Sequence, residues 1–255
     1  MNRLEYKNVN YISIFRTMAV IGDSLSSGEY ESYFENQTDW HDYYEYSWGQ
    51  FIARKYGIDV LNFSRGGLTA KTFFDYAHYN NSFVPEKACQ SYVIALGRND
   101  IYHWEKYENG FGSIEDVDFN DMKKNKDSFV GHYVKIIQKI REIQPKARIF
   151  VVTMPECIKD DTETAKKCDL HAEFLRSLPN YFDFLYVIDL RKLVPIHDKE
   201  FIRVHYCGGH LNAMGYLLTA EQIAGIINDI IIENSDDFCQ VAFIGKNIHN
   251  TNERW

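Results

Sequence analysis

The chain has 255 residues, a formal net charge of −8, 45% hydrophobic residues and 25% charged residues. These values are typical of a globular protein and exclude collagen-like, coiled-coil and intrinsically disordered chains. The negative charge argues against nucleic acid as a partner, because binding a phosphate backbone requires clustered Lys and Arg. The unusual feature is the aromatic content, with 18 Tyr, 17 Phe and 4 Trp against only 5 Pro.

No run approaches the roughly 18 apolar residues that a membrane span needs, and residues 1–15 contain no long apolar segment. We therefore expect no membrane span. The chain as it stands predicts a cytoplasmic protein, or an exported one if a signal peptide has been removed from it. Because repeats, low-complexity tracts and linkers are absent from the sequence, we expect a single domain over residues 1–255. The sequence does not indicate an oligomeric state.

Five short apolar runs predict buried β-strands. They are apolar on both faces, which is typical of a parallel sheet covered by helices on both sides. In chain order the runs span residues 17–21, 59–63, 92–96, 147–153 and 184–189.

Between these runs the apolar spacing becomes helical. A stripe at three- and four-residue steps ends before Pro145 and comprises Phe129, Tyr133, Ile136, Ile140 and Ile143. We expect further helices within 45–57, 68–79 and 163–181, and a last long helix from Asn212 through Ile230. This alternation predicts a three-layer α/β/α sandwich with a five-stranded parallel sheet and a functional site at the carboxyl ends of its strands.

Two segments interrupt the alternation and are predicted to be loop insertions, residues 29–48 after the first strand and 101–119 after the third. Both are rich in Tyr, Trp, Asp and Glu, and long loops at this edge of a sheet are often functional. Trp40, Tyr44 and Trp104 are therefore candidates for substrate binding, with packing beneath the loops as the alternative. Residues 235–255 are predicted to be a C-terminal arm, whose apolar part suggests a short strand or a packing segment.

A candidate nucleophile follows the first strand, in Gly22-Asp-Ser24. A tight turn at the sheet edge would expose the Ser24 hydroxyl and its backbone N–H, as a nucleophilic serine requires. We expect Asp23 to hold the turn rather than to react, because a carboxylate beside the nucleophile would oppose a developing oxyanion.

The loops after the next two strands offer hydrogen-bond donors. A glycine of the pair Gly66-Gly67 can present its backbone N–H, and Asn99 can present its side-chain amide. With the N–H of Ser24 these groups would form three donors around one oxyanion. His210, directly before the last helix, can serve as a general base. The histidines near it lack metal-ligand spacing, so we expect no metal site.

These four blocks, in this order, resemble the SGNH (GDSL-type) hydrolase superfamily from about residue 17 to about residue 232. The resemblance implies a flavodoxin-like fold and an esterase or lipase that works without a cofactor. Ser24 would attack the ester carbonyl, and His210 would accept the serine proton. The backbone N–H of Ser24, the backbone N–H of Gly67 and the side chain of Asn99 would form the oxyanion hole.

At two positions the sequence leaves a choice open or departs from the family pattern. Gly66 is the competing choice for the second donor, but with Gly67 the following Thr69 falls at the usual spacing. The family normally has an Asp three residues before the histidine, and here that position is Cys207. A thiol is a weak hydrogen-bond acceptor that offers little stabilisation to an imidazolium.

Three explanations of Cys207 remain open. A backbone carbonyl near residues 207–208 would orient His210 in a Ser-His dyad, a carboxylate such as Asp198 or Glu200 would approach the ring, or the site would be catalytically poor. With the dyad, Cys207→Ala should retain most of the activity.

The sequence thus favours a serine esterase that removes short acyl groups, with acetyl preferred, from a small molecule or a carbohydrate. Aromatic, acidic loops suit stacking on sugar faces and accepting hydroxyl hydrogen bonds, and they disfavour anionic substrates. The alternatives are a GDSL-type lipase or phospholipase, which the polar loops disfavour, and a binding protein that has kept the fold and lost the reaction.

Overall fold

The structure is a computed structural model that describes residues 9–246. Its strands are β1 (Thr17–Gly22), β2 (Glu29–Phe34), β3 (Gln37–Asp42), β4 (Asp59–Ser64), β5 (Ser91–Ala95), β6 (Arg148–Val152), β7 (Leu185–Ile188), β8 (Tyr206–Cys207) and β9 (His210–Leu211). Five of them, β1, β4, β5, β6 and β7, form the predicted parallel sheet. The five apolar runs were thus correctly identified, to within one residue at each end.

The helices of the described part are α1 (Ser24–Ser27), α2 (Trp48–Tyr56), α3 (Ala70–Tyr79), α4 (Arg98–Tyr102), α5 (Phe129–Ile143), α6 (Thr162–Ser177), α7 (Leu190–Leu193), α8 (Lys199–His205), α9 (Ala213–Glu233) and α10 (Ser235–Phe238). The predicted helices correspond to α2, α3, α5, α6 and α9. The apolar stripe of α5 is buried except for Ile143, which is partly buried, and this explains why the helix was the clearest in the sequence.

The sheet order is β4-β1-β5-β6-β7. Counting only these five strands along the chain, the order is 2-1-3-4-5, the flavodoxin-like arrangement. One core cluster joins α3, α5 and α6 to one face of the sheet, and a second joins α2 and α9 to the other. The fold is therefore the predicted three-layer sandwich. Its topological switch point lies between β1 and β5, where such sheets bind ligands.

The insertion after β1 is more ordered than the expected loop, because residues 29–42 form the antiparallel hairpin β2–β3. Glu35 and Asn36 both have positive φ, 47° and 63°, as a two-residue type I′ turn requires. A second, smaller hairpin, β8–β9, turns through Gly208 and Gly209 and contacts β2. These two hairpins cover the carboxyl edge of the sheet beside β1.

The C-terminal arm differs from the short strand that its apolar residues suggested. Residues 235–246 form α10 and a 3₁₀ turn, and Phe238, Val241 and Ile244 are buried against the α9 side of the core. This part of the arm is a packing segment, whereas residues 247–255 of the predicted arm lie outside the described residues. Among residues 9–246, no helix is long and apolar enough to cross a membrane.

Candidate active site

Ser24 is the first residue of α1, a single helical turn that directly follows β1. Asp23 caps this turn. Its side chain accepts a hydrogen bond from the N–H of Leu25 at 3.1 Å, and its carbonyl accepts from the N–H groups of Ser26 and Ser27. The N–H groups of the three residues after Ser24 are thus hydrogen-bonded within the turn. The N–H of Ser24 itself lies at the N-terminal end of the helix.

Asp23 is only 2% exposed, and it lines a cavity of about 90 Å³ that lies behind the turn. Burial raises the pKa of its carboxyl to about 7, against the opposing effect of the Leu25 N–H. The expectation that Asp23 holds the turn is confirmed by these contacts.

The loop after β4 forms a tight turn from Arg65 to Leu68, closed by the N–H of Leu68 donating to the carbonyl of Arg65 at 3.3 Å. Gly67 has a φ of +77°, which glycine adopts without strain at this position of a turn. The carboxylate of Glu29 lies beside Gly66, in the space that a β-carbon at position 66 would occupy. Both candidate donors thus lie in one turn at the edge of the sheet.

Asn99 belongs to α4, which begins directly after β5 and Gly97. Its side-chain N–H donates to the carbonyl of Leu68 at 3.0 Å, so the amide is fixed to the loop after β4. An amide has two N–H groups, and this contact uses one of them.

Two buried side chains hold the Asn99 loop in place. His171 donates from Nε2 to the carbonyl of Leu96 at 3.0 Å, with its ring against Gly97, and burial lowers its pKa to about 4. Asp100 accepts from the N–H of Ala70 at 2.8 Å and from the Tyr107 hydroxyl. The loops after β4 and β5 are therefore cross-linked, which rigidifies the place where two donors were expected.

His210 lies on β9 and contacts two carboxylates of the β2–β3 hairpin. Its Nδ1 is 2.7 Å from Glu31 Oε1, and its Nε2 is 3.1 Å from Glu29 Oε1. Gly209 donates its N–H to the same Glu31 oxygen at 2.7 Å. Since α1 also contacts β2 and β9, the fold brings the Ser24 turn beside the strand that carries His210.

The explanations suggested for Cys207 did not include Glu31. Asp198 instead caps α8, Glu200 pairs with Arg203, and the carbonyl of Gly208 accepts from Lys159 at 3.1 Å. Cys207 itself is exposed, with its sulfur 3.6 Å from the carbonyl of Glu31. The group next to the Nδ1 of His210 is therefore a carboxylate, as the second explanation proposed, but it is Glu31 of the insertion and neither Asp198 nor Glu200.

The sequence analysis predicted a loop over residues 29–48 and therefore did not identify Glu29 and Glu31 as site residues. Their separation of two places them on the same face of a strand, and Asn36 is a preferred residue of hairpin turns. These two signals, together with the run of β-forming aromatics, were present in the sequence and would have indicated the hairpin.

Glu29 and the Nε2 of His210 require a proton between them, because two unprotonated acceptors would repel each other at 3.1 Å. Burial raises the pKa of Glu29 above its ordinary value, His210 opposes this rise, and Asp42 and Glu31 add to it.

The three aromatic candidates occupy different environments. Trp40 is 60% exposed and is the cross-strand partner of Glu31, so both side chains lie on one face of the hairpin. Tyr44 is partly buried and donates its hydroxyl to the carbonyl of Val60 at 2.9 Å. Trp104 packs on Phe111 and lies beneath the ammonium of Lys167.

The sheet topology, with a serine turn at its switch point, is the arrangement that the resemblance to the SGNH hydrolases implies. In agreement, the model of the GDSL-like lipase/acylhydrolase family matches residues 20–218. The chain belongs to this family. A search among curated proteins found no match.

Solved structures share the fold at low identity. A family two carbohydrate esterase from Clostridium thermocellum, in complex with cellohexaose, superposes with a TM-score of 0.60 at 18% identity, covering 85% of this chain and 64% of its own. The acetyl xylan esterase AlAXEase has a TM-score of 0.53 at 16% identity, with 83% and 99% covered. A lipase/acylhydrolase from Enterococcus faecalis has 0.51 at 16%, with 84% and 96% covered. The chain thus spans less than two thirds of the Clostridium protein.

Proposed function

We propose that the protein is a serine esterase that hydrolyses short acyl esters, acetyl esters of carbohydrates in particular. The observation that carries this proposal is the convergence of Ser24, Gly67 and Asn99 at the ends of three adjacent strands, next to the strand of His210. Each side chain or amide has the chemistry that one step of acyl transfer needs.

In the first half of the reaction, the Ser24 Oγ attacks the ester carbonyl carbon and its proton passes to the Nε2 of His210. The carbonyl oxygen becomes an oxyanion, which accepts hydrogen bonds from the N–H of Ser24, the N–H of Gly67 and the second N–H of Asn99. The bond to the leaving alcohol then breaks, and His210 returns the proton to the alcohol oxygen.

In the second half, water attacks the acyl-enzyme and His210 takes a proton from it. The bond between the acyl carbon and the Ser24 oxygen breaks, and the proton returns to Ser24. The carboxylic acid leaves, so every step balances with the ester and water alone and needs no cofactor.

The carbohydrate substrate is supported by the exposed indole of Trp40 beside the site. An exposed aromatic face suits stacking on a sugar ring, and nearby carboxylates accept hydrogen bonds from hydroxyl groups. The names of two structural relatives, a carbohydrate esterase and an acetyl xylan esterase, agree with this choice. The proposal for this chain rests on Trp40 and not on those names.

A lipase remains the second candidate because Tyr33 and Phe34, at the tip of the hairpin, are each 72% exposed. Exposed aromatic side chains at a loop tip also suit contact with a lipid surface. A series of esters of increasing acyl length distinguishes the two, since the esterase prefers acetyl and a lipase prefers long chains.

The direct test combines turnover and labelling. The wild-type protein is incubated with an activated acetyl ester and, separately, with a fluorophosphonate, and both assays are repeated with Ser24→Ala. We expect turnover and a covalent adduct on Ser24 in the wild type and neither in the variant. A folded wild type that forms no adduct would contradict the proposal. Release of acetate from an acetylated oligosaccharide tests the substrate class.

A further inference from the structure

We propose that Glu31 is the acid partner of His210, a positioning residue supplied by the β2–β3 hairpin in place of an acid at position 207. The inference rests on the proposed function, because it assigns a role within that esterase site. Glu31 would hold the proton of His210 on Nδ1 and stabilise the imidazolium that forms when Ser24 is deprotonated.

The geometry supports this role at three points. The Glu31 oxygen is 2.7 Å from His210 Nδ1, which is the length of a charge-assisted hydrogen bond. The N–H of Gly209 donates to the same oxygen and directs it toward the ring. The carboxylate and the ring are 18% and 16% exposed, so solvent weakens the interaction only partly.

Glu29 is the competing partner, because it approaches the other ring nitrogen. Its contact is longer, 3.1 Å against 2.7 Å, and it lies at Nε2, the nitrogen that the proposed reaction uses as the base. A ring that carries its proton on Nδ1 has an unprotonated Nε2, as a base acting on Ser24 requires. The two carboxyl groups therefore have different roles.

The β2–β3 hairpin that carries Glu31 is held in place by contacts with α9 and α1. The buried Tyr216 of α9 donates its hydroxyl to the carbonyl of Glu29 at 2.7 Å, and the ring of Tyr30 packs on that of Tyr216. Ser27 of α1 hydrogen-bonds to Asp42, the cross-strand partner of Glu29 at the same end of the hairpin. The strand that carries Glu31 is thus fixed to the Ser24 turn and to the helix that follows His210.

The kinetic test uses Glu31→Gln, which keeps the shape of the side chain and removes its charge. We expect kcat for an activated acetyl ester to fall by about 100-fold or more, within the range known for acids of Ser-His-acid triads, with little change in KM. Glu31→Asp should lose less than Glu31→Gln because it retains the charge. Asp39→Asn removes a carboxylate from the opposite face of the same hairpin and should retain wild-type activity.

The second readout does not depend on activity. The ¹⁵N shifts of the His210 ring, assigned with His210→Asn, report which nitrogen carries the proton of the neutral ring. We expect the proton on Nδ1 in the wild type and in Asp39→Asn, and a shift of the population toward Nε2 in Glu31→Ala. This measurement separates the two proposals, since it can succeed in a protein that fails to hydrolyse any ester.

Two results would overturn the assignment. One is a Glu31→Gln enzyme with kcat within threefold of the wild type. The other is a wild-type ring that carries its proton on Nε2, or a proton on Nδ1 that is unaffected in Glu31→Ala.

Discussion

The two sides of the candidate site are built in different ways. Ser24, Gly67 and Asn99 lie on short turns after strands of the central sheet, and the strands before Ser24 and Asn99 are almost completely buried. His210, Glu31 and Glu29 lie on two small antiparallel hairpins outside the sheet. The nucleophile side is therefore part of the core, whereas the base side is attached to it by a few side-chain contacts.

The positions of the two sides are therefore fixed by different contacts. The turns after the strands are fixed because moving them would disturb two large hydrophobic clusters. An isolated two-stranded hairpin has little stability of its own, so the position of Glu31 depends on Tyr216, Ser27 and Gly209. The oxyanion donors should thus tolerate changes in the hairpin, and the histidine should not.

Among changes to the proposed oxyanion donors on the sheet side, the largest expected effect is that of Asn99→Ala. The variant removes one oxyanion donor and should lower kcat about 100- to 1000-fold, as the loss of such a donor does elsewhere. KM should change little, because the hydrogen bond forms mainly in the transition state. Steady-state kinetics with an activated acetyl ester measures both values.

The matched control for Asn99→Ala is Asn109→Ala, an exposed asparagine whose side chain makes only a long contact of 3.5 Å to the carbonyl of Asp127. It should retain wild-type kinetics. A loss of less than fivefold in Asn99→Ala would mean that its amide does not contact the oxyanion.

The second prediction concerns the stability of the Ser24 turn. The folded-state pKa of Asp23 is raised from 3.8 to about 7, so the folded protein binds a proton that the unfolded chain releases between these pH values. The stabilising contribution of Asp23 is therefore present at low pH and is lost as the pH rises through about 7. Asn can cap the turn without ionising.

We accordingly expect Asp23→Asn to gain stability relative to the wild type as the pH rises from 4 to 8, by an amount on the order of 2–4 kcal/mol. Urea unfolding at several pH values measures the difference between the two proteins. A difference that does not depend on pH would show that Asp23 ionises normally.

The sequence located the turns that carry Ser24, Gly67 and Asn99 because the signals there are local. Buried strands appear as apolar runs, and Ser24, Gly67 and Asn99 follow those runs directly. The acid partner of His210 was not found because Glu31 is 179 positions away along the chain, and their contact depends on the packing of two hairpins. The family pattern indicates an Asp at position 207, and this chain has a cysteine there.

The last and smallest expected effect tests whether the base side can be rebuilt at the position that the family pattern indicates. Cys207 and His210 are cross-strand partners in the β8–β9 hairpin, so their side chains lie on one face. In the Glu31→Gln background, Cys207→Asp should restore kcat by about tenfold, because a carboxylate again reaches the imidazole. Cys207→Ser in the same background is the control and should restore nothing, since a hydroxyl supplies no negative charge. If Asp and Ser behave alike, a carboxylate on β8 cannot replace that of Glu31. The acid partner of His210 must then come from the β2–β3 hairpin.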